Sequence, residues 1–285
     1  MFPAVPRWRR GPVCKLTGLR NKGHALITGG SSGIGLAIAH NAARAGHAIT
    51  LIARRVEQLQ AAADTIRATH SVDVQTFSAD LGNRAEAERS VGDAIAQFGA
   101  PTHVVTSAGQ AIPGYFSALD IDVFENLNAV NYLGTVYTIK AAFPHMRAAG
   151  GGRIGIISSG AGLVGIFGYT AYGATKYAVR GFGECLRAEA RRDNISVTIA
   201  YPPDTGTPQL SAEELVRPPE TAAIAGGAAV WPADRVATLI WRGMDARKLA
   251  VTPGWEMTAL YRFQSLLDPA LRWTFDRLAD RAKRP

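Results

Sequence analysis

From residue 23 onward, short apolar runs alternate with longer segments of helical spacing, and this alternation restricts the fold more than any other feature of the chain. The runs HALIT, HAITLIA, DVQTFSAD, THVVTSAG, GRIGIISSG and ISVTIA are mostly apolar along their length, and LAVTP near Leu249 supplies a seventh. Strands that are apolar without a two-residue alternation are covered on both faces, as parallel strands are. The intervening segments VEQLQAAADTIRATH and AEAERSVGDAIAQFG, and the long pattern from Ile121 to Ala149, have the length and spacing of crossover helices. Gly46 and Gly99 follow two of these helical patterns, where a glycine readily ends a helix. Right-handed crossovers leave few topologies. The expectation is an α/β chain with a doubly wound, mostly parallel seven-stranded sheet and helices on both faces. One domain spans residues 23–254, flanked by an N-terminal extension (1–22) and a C-terminal helical tail (255–285). The stretch from Pro208 to Pro232 reads as a mostly helical insertion before the last strand.

The net charge of +8 belongs to the flanks. Residues 1–22 hold six bases and no acid, whereas residues 23–254 are balanced. A nucleic-acid reader carries its positive stripe on the folded domain, so nucleic acid is not expected as a partner. Basic flanks fit an anionic membrane surface. In the tail, Trp255, Tyr261, Phe263, Trp273 and Phe275 interleave with arginines, which suits an interfacial helix, and Pro269 is expected to divide it into two. A helix packed on the domain or on a second subunit remains the alternative. Cys14 and Cys185 have no metal-ligand spacing, and Cys185 falls on what reads as a buried helix face. Free thiols in a reducing compartment follow, hence a cytoplasmic chain without a metal, in peripheral contact with a membrane at most.

The segment TGGSSGIG (Thr28 to Gly35) lies between the first strand and the first helix. Glycines there permit a tight turn and close approach of a pyrophosphate, whose charge the helix N-terminus receives. This is the dinucleotide-binding turn of a Rossmann sheet, with Gly29, Ser31, Ser32, Gly33, Ile34 and Gly35 as candidate contacts. The second strand ends in LIARRVEQ, with Arg54 and Arg55 and no acid before Glu57. Guanidiniums at that position favour a 2′-phosphate through charge-assisted bonds, which predicts NADPH rather than NADH. Further on, Tyr172 and Lys176 stand four residues apart, on one face of a helix. A neighbouring ammonium and a cationic nicotinamide both favour the phenolate, so such a pair can exchange protons with a carbonyl or alcohol while a cofactor moves hydride.

The glycine turn and the Tyr–Lys pair together resemble the short-chain dehydrogenase/reductase family over about residues 23–255. Its glycine pattern matches Thr28, Gly29, Gly33 and Gly35; its tyrosine and lysine match Tyr172 and Lys176. The resemblance implies roles for other residues: Ser159, thirteen residues before the tyrosine and preferred over Ser158, orients the substrate oxygen; Asn131 holds a water that links Lys176 to solvent; Lys176 binds the nicotinamide ribose and lowers the Tyr172 pKa. Asp80 and Leu81 contact adenine; Ala108 and Gly109 line the cofactor; Pro202 and Thr207 close over the nicotinamide. One departure stands out: the Asn-Asn-Ala-Gly of the family reads TSAG here, with Thr106 and Ser107.

The phrase YPPDTGTP (Tyr201 to Pro208) resembles one branch of that family, the reductases of 3-ketodihydrosphingosine, and so do LIARR, VNYLGTVY and SAEELVRPPET. The resemblance implies NADPH-dependent reduction of the 3-keto group of a long-chain lipid ketone to sphinganine, and a homodimer or homotetramer built through the long helices after strands four and five. Asp204 on the stiff loop is a candidate partner for the substrate ammonium, against pairing with an arginine. Reduction of another bulky apolar ketone, such as a steroid or a 3-ketoacyl thioester, and a non-catalytic NADP-binding sensor are the competing readings.

Overall fold

The structure, a computed structural model, describes residues 22–226 and 229–282. Cys14 and the N-terminal arginines lie outside these residues. Strands β1 (His24–Thr28), β2 (Ala48–Ala53), β3 (Val74–Ser78), β4 (His103–Thr106), β5 (Gly152–Ile157) and β6 (Ile195–Ala200) alternate with helices α1 (Gly33–Arg44), α2 (Val56–Thr69), α3 (Arg84–Phe98), α4 (Ile121–Leu127), α5 (Gly134–Ala148) and α6 (Thr170–Ala190). Then come β7 (Thr205–Gly206), α7 (Pro208–Glu214), α8 (Pro219–Ala225), β8 (Trp231–Pro232), α9 (Ala233–Asp245), β9 (Ala250–Val251) and α10 (Trp255–Ala282). The main sheet is seven-stranded in the order β3-β2-β1-β4-β5-β6-β9, parallel throughout. Its order reverses between β1 and β4, the switch point at which such sheets open a crevice at the carboxyl ends of their strands.

The sheet's two faces are covered by separate cores. One is built around Leu26, Val104, Ile154, Ile156 and Val197, and the other around Ile27, Ile49, Leu51, Ile38 and Ile240. Successive residues of β1 therefore point to opposite cores, which is why the run HALIT is apolar without alternation.

Three expectations change. The helical pattern from Ile121 to Ala149 is interrupted by a π-helical stretch, Asn128–Leu133, between α4 and α5. The tail bends at Phe263 (φ −119°, ψ 23°), not at Pro269. A proline ring presses on the turn before it, toward the carbonyl of Ser265, so the bend is displaced N-terminally. Cys185 is exposed on α6, because the buried stripe of that helix runs through Lys176, Val179 and Gly183 instead. The segment 208–232 is helical as expected, and its ends are tied by the pairing of β7 with β8. Among the described residues no helix is long and apolar enough to cross a membrane.

At the edge of the sheet remote from the crevice, His24 donates from Nδ1 to the Gly99 carbonyl (2.9 Å) and, as a neutral ring, accepts at Nε2 from the Thr50 hydroxyl (2.7 Å), and His103 stacks on Trp241. Burial lowers His24 to about 4, against the hydrogen bond to Gly99, and lowers His103 to about 3, with His47 and Arg153 adding to the effect. Both rings are therefore neutral in the fold, while the unfolded chain takes up their protons near pH 6.5. Their contribution to stability is complete above pH 6.5 and is lost as the pH falls toward 4 and 3, by about 1.4 kcal/mol per unit per ring. Thermal unfolding followed by circular dichroism should show a falling midpoint between pH 6.5 and 4, and replacement of His103 by Gln should flatten that slope. A slope unchanged in the variant would remove His103 from the account.

Candidate active site

The crevice at the carboxyl edge is a cavity of about 660 Å³. Its floor begins with the turn between β1 and α1. Gly29 has a φ of +65°, and a Cβ there would stand 2.6 Å from the Ala108 backbone nitrogen, so the turn closes against the β4 loop only with glycine. Ser32 begins α1 without a side-chain cap, which leaves the first N–H groups of the helix directed at the cavity. Gly29, Ser31, Ser32, Gly33 and Ile34 line it. Gly35, expected as a contact, does not; it is buried beneath the turn against the carbonyl of Gly29 and serves the packing of helix on turn.

The adenosine side is framed by Arg54, Arg55, Asp80 and Leu81, all on the cavity. Asp80 is held from both directions. Its N–H donates to Glu86 (2.8 Å), and its carboxylate accepts from the Gly82 N–H (3.0 Å). Gln110, with its amide oxygen turned to Arg54, accepts from both terminal guanidinium nitrogens, at 3.1 and 2.6 Å. Sequence reasoning missed Gln110 altogether. It follows Gly109 in the stretch where the family pattern breaks down.

Asn131 explains how that loop is held despite Thr106 and Ser107. Its Oδ1 accepts from the Gln110 N–H (2.8 Å), and its Nδ2 donates to the Gln110 carbonyl (2.9 Å) and to Thr175 Oγ1 (3.0 Å). The side chain is buried and does not line the cavity. Both its donors are committed, so the expected grip on a water is left to the second lone pair of Oδ1. Gly109 lies where a Cβ would come 3.2 Å from Asn131 Oδ1 and 3.6 Å from Lys176 Nζ. Bare backbone there, cationic Arg54 on one side and free N–H groups on the other fit a phosphorylated dinucleotide.

Tyr172 and Lys176 project from α6 with the ammonium 5.5 Å from the ring centre. Lys176 is buried and donates to the Ile157 carbonyl (3.0 Å). Burial lowers it to about 8, partly offset by the charge of Glu213. Tyr172 is pushed above the ordinary tyrosine value by desolvation, against a hydrogen bond with Ser159 that acts in the opposite sense. Glu213 and Asp204 push it further up and Arg217 down, and the lowering expected from Lys176 does not figure among these effects. Ser159 accepts from the Ala161 N–H (3.2 Å), which leaves its own proton free to donate. Ser158 spends its hydroxyl on the Lys176 carbonyl (2.9 Å) and is excluded as the substrate-facing serine.

The stiff loop after β6 forms the roof. Pro202 accepts at its carbonyl from the Gly160 N–H (3.2 Å), and Asp204 accepts from Trp231 (2.9 Å). Thr207 lines the cavity, faces Gly33 and caps α7 by accepting from Leu210 (3.2 Å), which leaves its hydroxyl proton and one lone pair for a ligand. Beside Tyr172 stands a polar group that no local pattern announces. Tyr169 donates to Glu213 (2.7 Å) and accepts from Arg217 (3.1 Å), and Arg217 lies 3.6 Å from both Asp204 and Glu213. Asp204 is thus paired with an arginine. The remaining walls are largely apolar, with Val164, Ile166, Leu210, Leu260, Leu271 and Phe275, and carry Thr205, Gln209 and Glu256 as polar residues.

Comparison with known proteins agrees with this arrangement. The family model described as short chain dehydrogenase matches residues 23–215. A 3-ketodihydrosphingosine reductase of Bos taurus is 38% identical over 222 residues, covering 76% of this chain and 67% of its own. The Mus musculus protein of the same name is 39% identical over the same shares. Among solved structures, a short-chain dehydrogenase from Sphingobium yanoikuyae in complex with NADPH superposes with a TM-score of 0.75 at 28% identity, covering 89% of this chain and 95% of that one. The L-sorbose reductase of Gluconobacter frateurii, complexed with NADPH and L-sorbose, gives 0.73 at 25% identity, with 82% and 94% covered. The family match over residues 23–215 and the relatives at 38–39% identity show that this chain belongs to the short-chain dehydrogenase family.

Proposed function

We propose that the protein reduces the 3-keto group of 3-ketodihydrosphingosine, or a close long-chain 2-amino ketone, with NADPH. The observation that carries this reading is one continuous cavity lined together by Arg54, by Tyr172 and by apolar residues of α10. When bound, the cofactor supplies hydride. Tyr172 supplies the proton: desolvation keeps it a phenol at neutral pH, which is the form a reduction consumes. Ser159, with its proton free, donates to the carbonyl oxygen and holds it beside the phenol. Lys176 stays an ammonium at neutral pH and loses its charge as the pH rises through about 8. Two of its three protons remain for the ribose and the phenol, since Ile157 takes the third. Asn131 positions the loop that lies against them. Asp204 and Glu213 together flank the space next to Tyr172, where the substrate amine would stand, with Arg217 shared between them.

A peripheral membrane location accompanies this substrate. Trp255, Phe263, Leu266 and Trp273 are exposed on α10, and the Arg277 guanidinium covers the Trp273 ring at 3.8 Å. Aromatic rings among arginines favour the headgroup layer of an anionic bilayer. One experiment tests both statements: NADPH oxidation with 3-ketodihydrosphingosine presented in anionic and in zwitterionic vesicles, alongside a steroid ketone and a 3-ketoacyl thioester. The expected result is turnover of the sphingoid ketone well above the others, faster on anionic vesicles. Preference for the steroid or the thioester would overturn the substrate, and equal rates on both vesicles would overturn the membrane contact.

A further inference from the structure

The catalytic cavity has a neighbour. A second hollow of about 350 Å³ lies between the first turns of α6, the helix α8 and the distal half of α10. Ile166, Tyr169, Ile224 and Phe275 line both spaces and form the partition between them. On its far side the hollow is bounded by Gly165, Gly173, Ala174 and Ala279, with Arg272 and Asp276 also on its lining.

We propose that this hollow is the seat for the distal methylenes of the substrate's alkyl chain, reached over the Ile166–Ile224–Phe275 partition; the proposal rests on the lipid-ketone reading above. Three observations support it. The larger cavity, which runs from Arg54 to Phe275, has to hold both a dinucleotide and the reacting head of the ketone. About 660 Å³ is within the ~300–1,000 Å³ range for a single ligand site, so a long chain needs further room. The partition differs in its parts. Tyr169 is tied to Glu213 and Arg217, while Ile166, Ile224 and Phe275 are only partly buried apolar side chains with no polar contact to fix them. Lastly, the far side is kept open by small residues. A Cβ on Gly165 would meet nothing within 4 Å, and one on Gly173 would meet only the Ala161 carbonyl, at 3.6 Å. A slot of that kind accepts methylenes; its polar lining is Thr170, Tyr177, Asp276 and Arg272 besides the tied Tyr169, and Arg272 is already bonded to Asp268 (2.8 Å).

The test is a homologous series of 2-amino-3-ketones of increasing chain length, assayed by NADPH oxidation with the full chain. In the unmodified protein kcat/KM should rise by about fourfold for each methylene that enters the slot. Ala174→Trp and Ala279→Trp fill the slot and should flatten that rise over the longest members, with the shortest ketone as the internal reference in each variant. Ala174 is exposed, so its variant stands if the more buried Ala279 does not tolerate tryptophan. A rise of equal steepness in the unmodified protein and in Ala174→Trp overturns the slot alone. So does a loss that is the same at every length. Absence of turnover at any length by the unmodified protein overturns the reductase reading, and the slot with it.

Discussion

Tyr172→Phe is expected to lower turnover by about 10²- to 10⁴-fold while leaving NADPH binding within a fewfold of the original, the size associated with removal of a positioned proton donor. The structure explains why the two effects separate. Phenylalanine keeps the ring that packs against Tyr169 at 5.4 Å and loses only the hydroxyl that bonds to Ser159. The lysine remains anchored on the Ile157 carbonyl, and the glycine turn and Arg54 are untouched. Stopped-flow NADPH oxidation measures the first quantity and fluorescence titration of the cofactor the second. Activity within tenfold of the original would remove Tyr172 from the chemistry. A parallel loss of binding would mean that the hydroxyl also helps to hold the cofactor.

Arg54→Ala is expected to weaken NADPH on the order of 10- to 100-fold and NADH little, since a hydrogen bond to a charged group contributes about 1.5–3 kcal/mol. Gln110→Glu should act in the same direction by a different route. The carboxylate keeps the contact with both guanidinium nitrogens, but it neutralises Arg54 and sets a negative charge beside the 2′-phosphate. Titration of both variants with both cofactors separates the explanations. Equal weakening of NADPH and NADH would show that Arg54 and Gln110 shape the groove without reading the phosphate.

Much of this architecture was legible because the signals are local. A strand that is apolar at every position, a glycine turn directly after it and a tyrosine four residues before a lysine are properties of neighbouring residues. They fixed the sheet and the glycine turn, and they put the Tyr172–Lys176 pair on the cavity. What was missed depends on distant residues meeting through their side chains. Tyr169, Glu213 and Arg217 come from the residue before α6, from α7 and from the loop after it, and nothing in either stretch specifies the other. Gln110 and Arg54 meet only because β2 and β4 flank β1 in the sheet. Cys185 and the bend at Phe263 show the opposite error. A helical stripe was read one face too far, and a proline was given the position of its own effect.

The π-helical stretch at Asn128–Leu133 amounts to one surplus residue wound into an otherwise regular helix. Helical residues advance by about 100° each, so a chain shortened by one residue there could not keep both α4 and α5 in their present orientations. Either α5 would turn its buried stripe of Thr138, Ile139 and Ala142 out of the core, or Asn131 would swing off the Gln110 backbone. This stretch is therefore intolerant of length change, and Val130 within it lines the cavity. Among relatives of this chain, an insertion or deletion here would mark a protein whose β4 loop, and with it the grip on the cofactor, is organised in some other way.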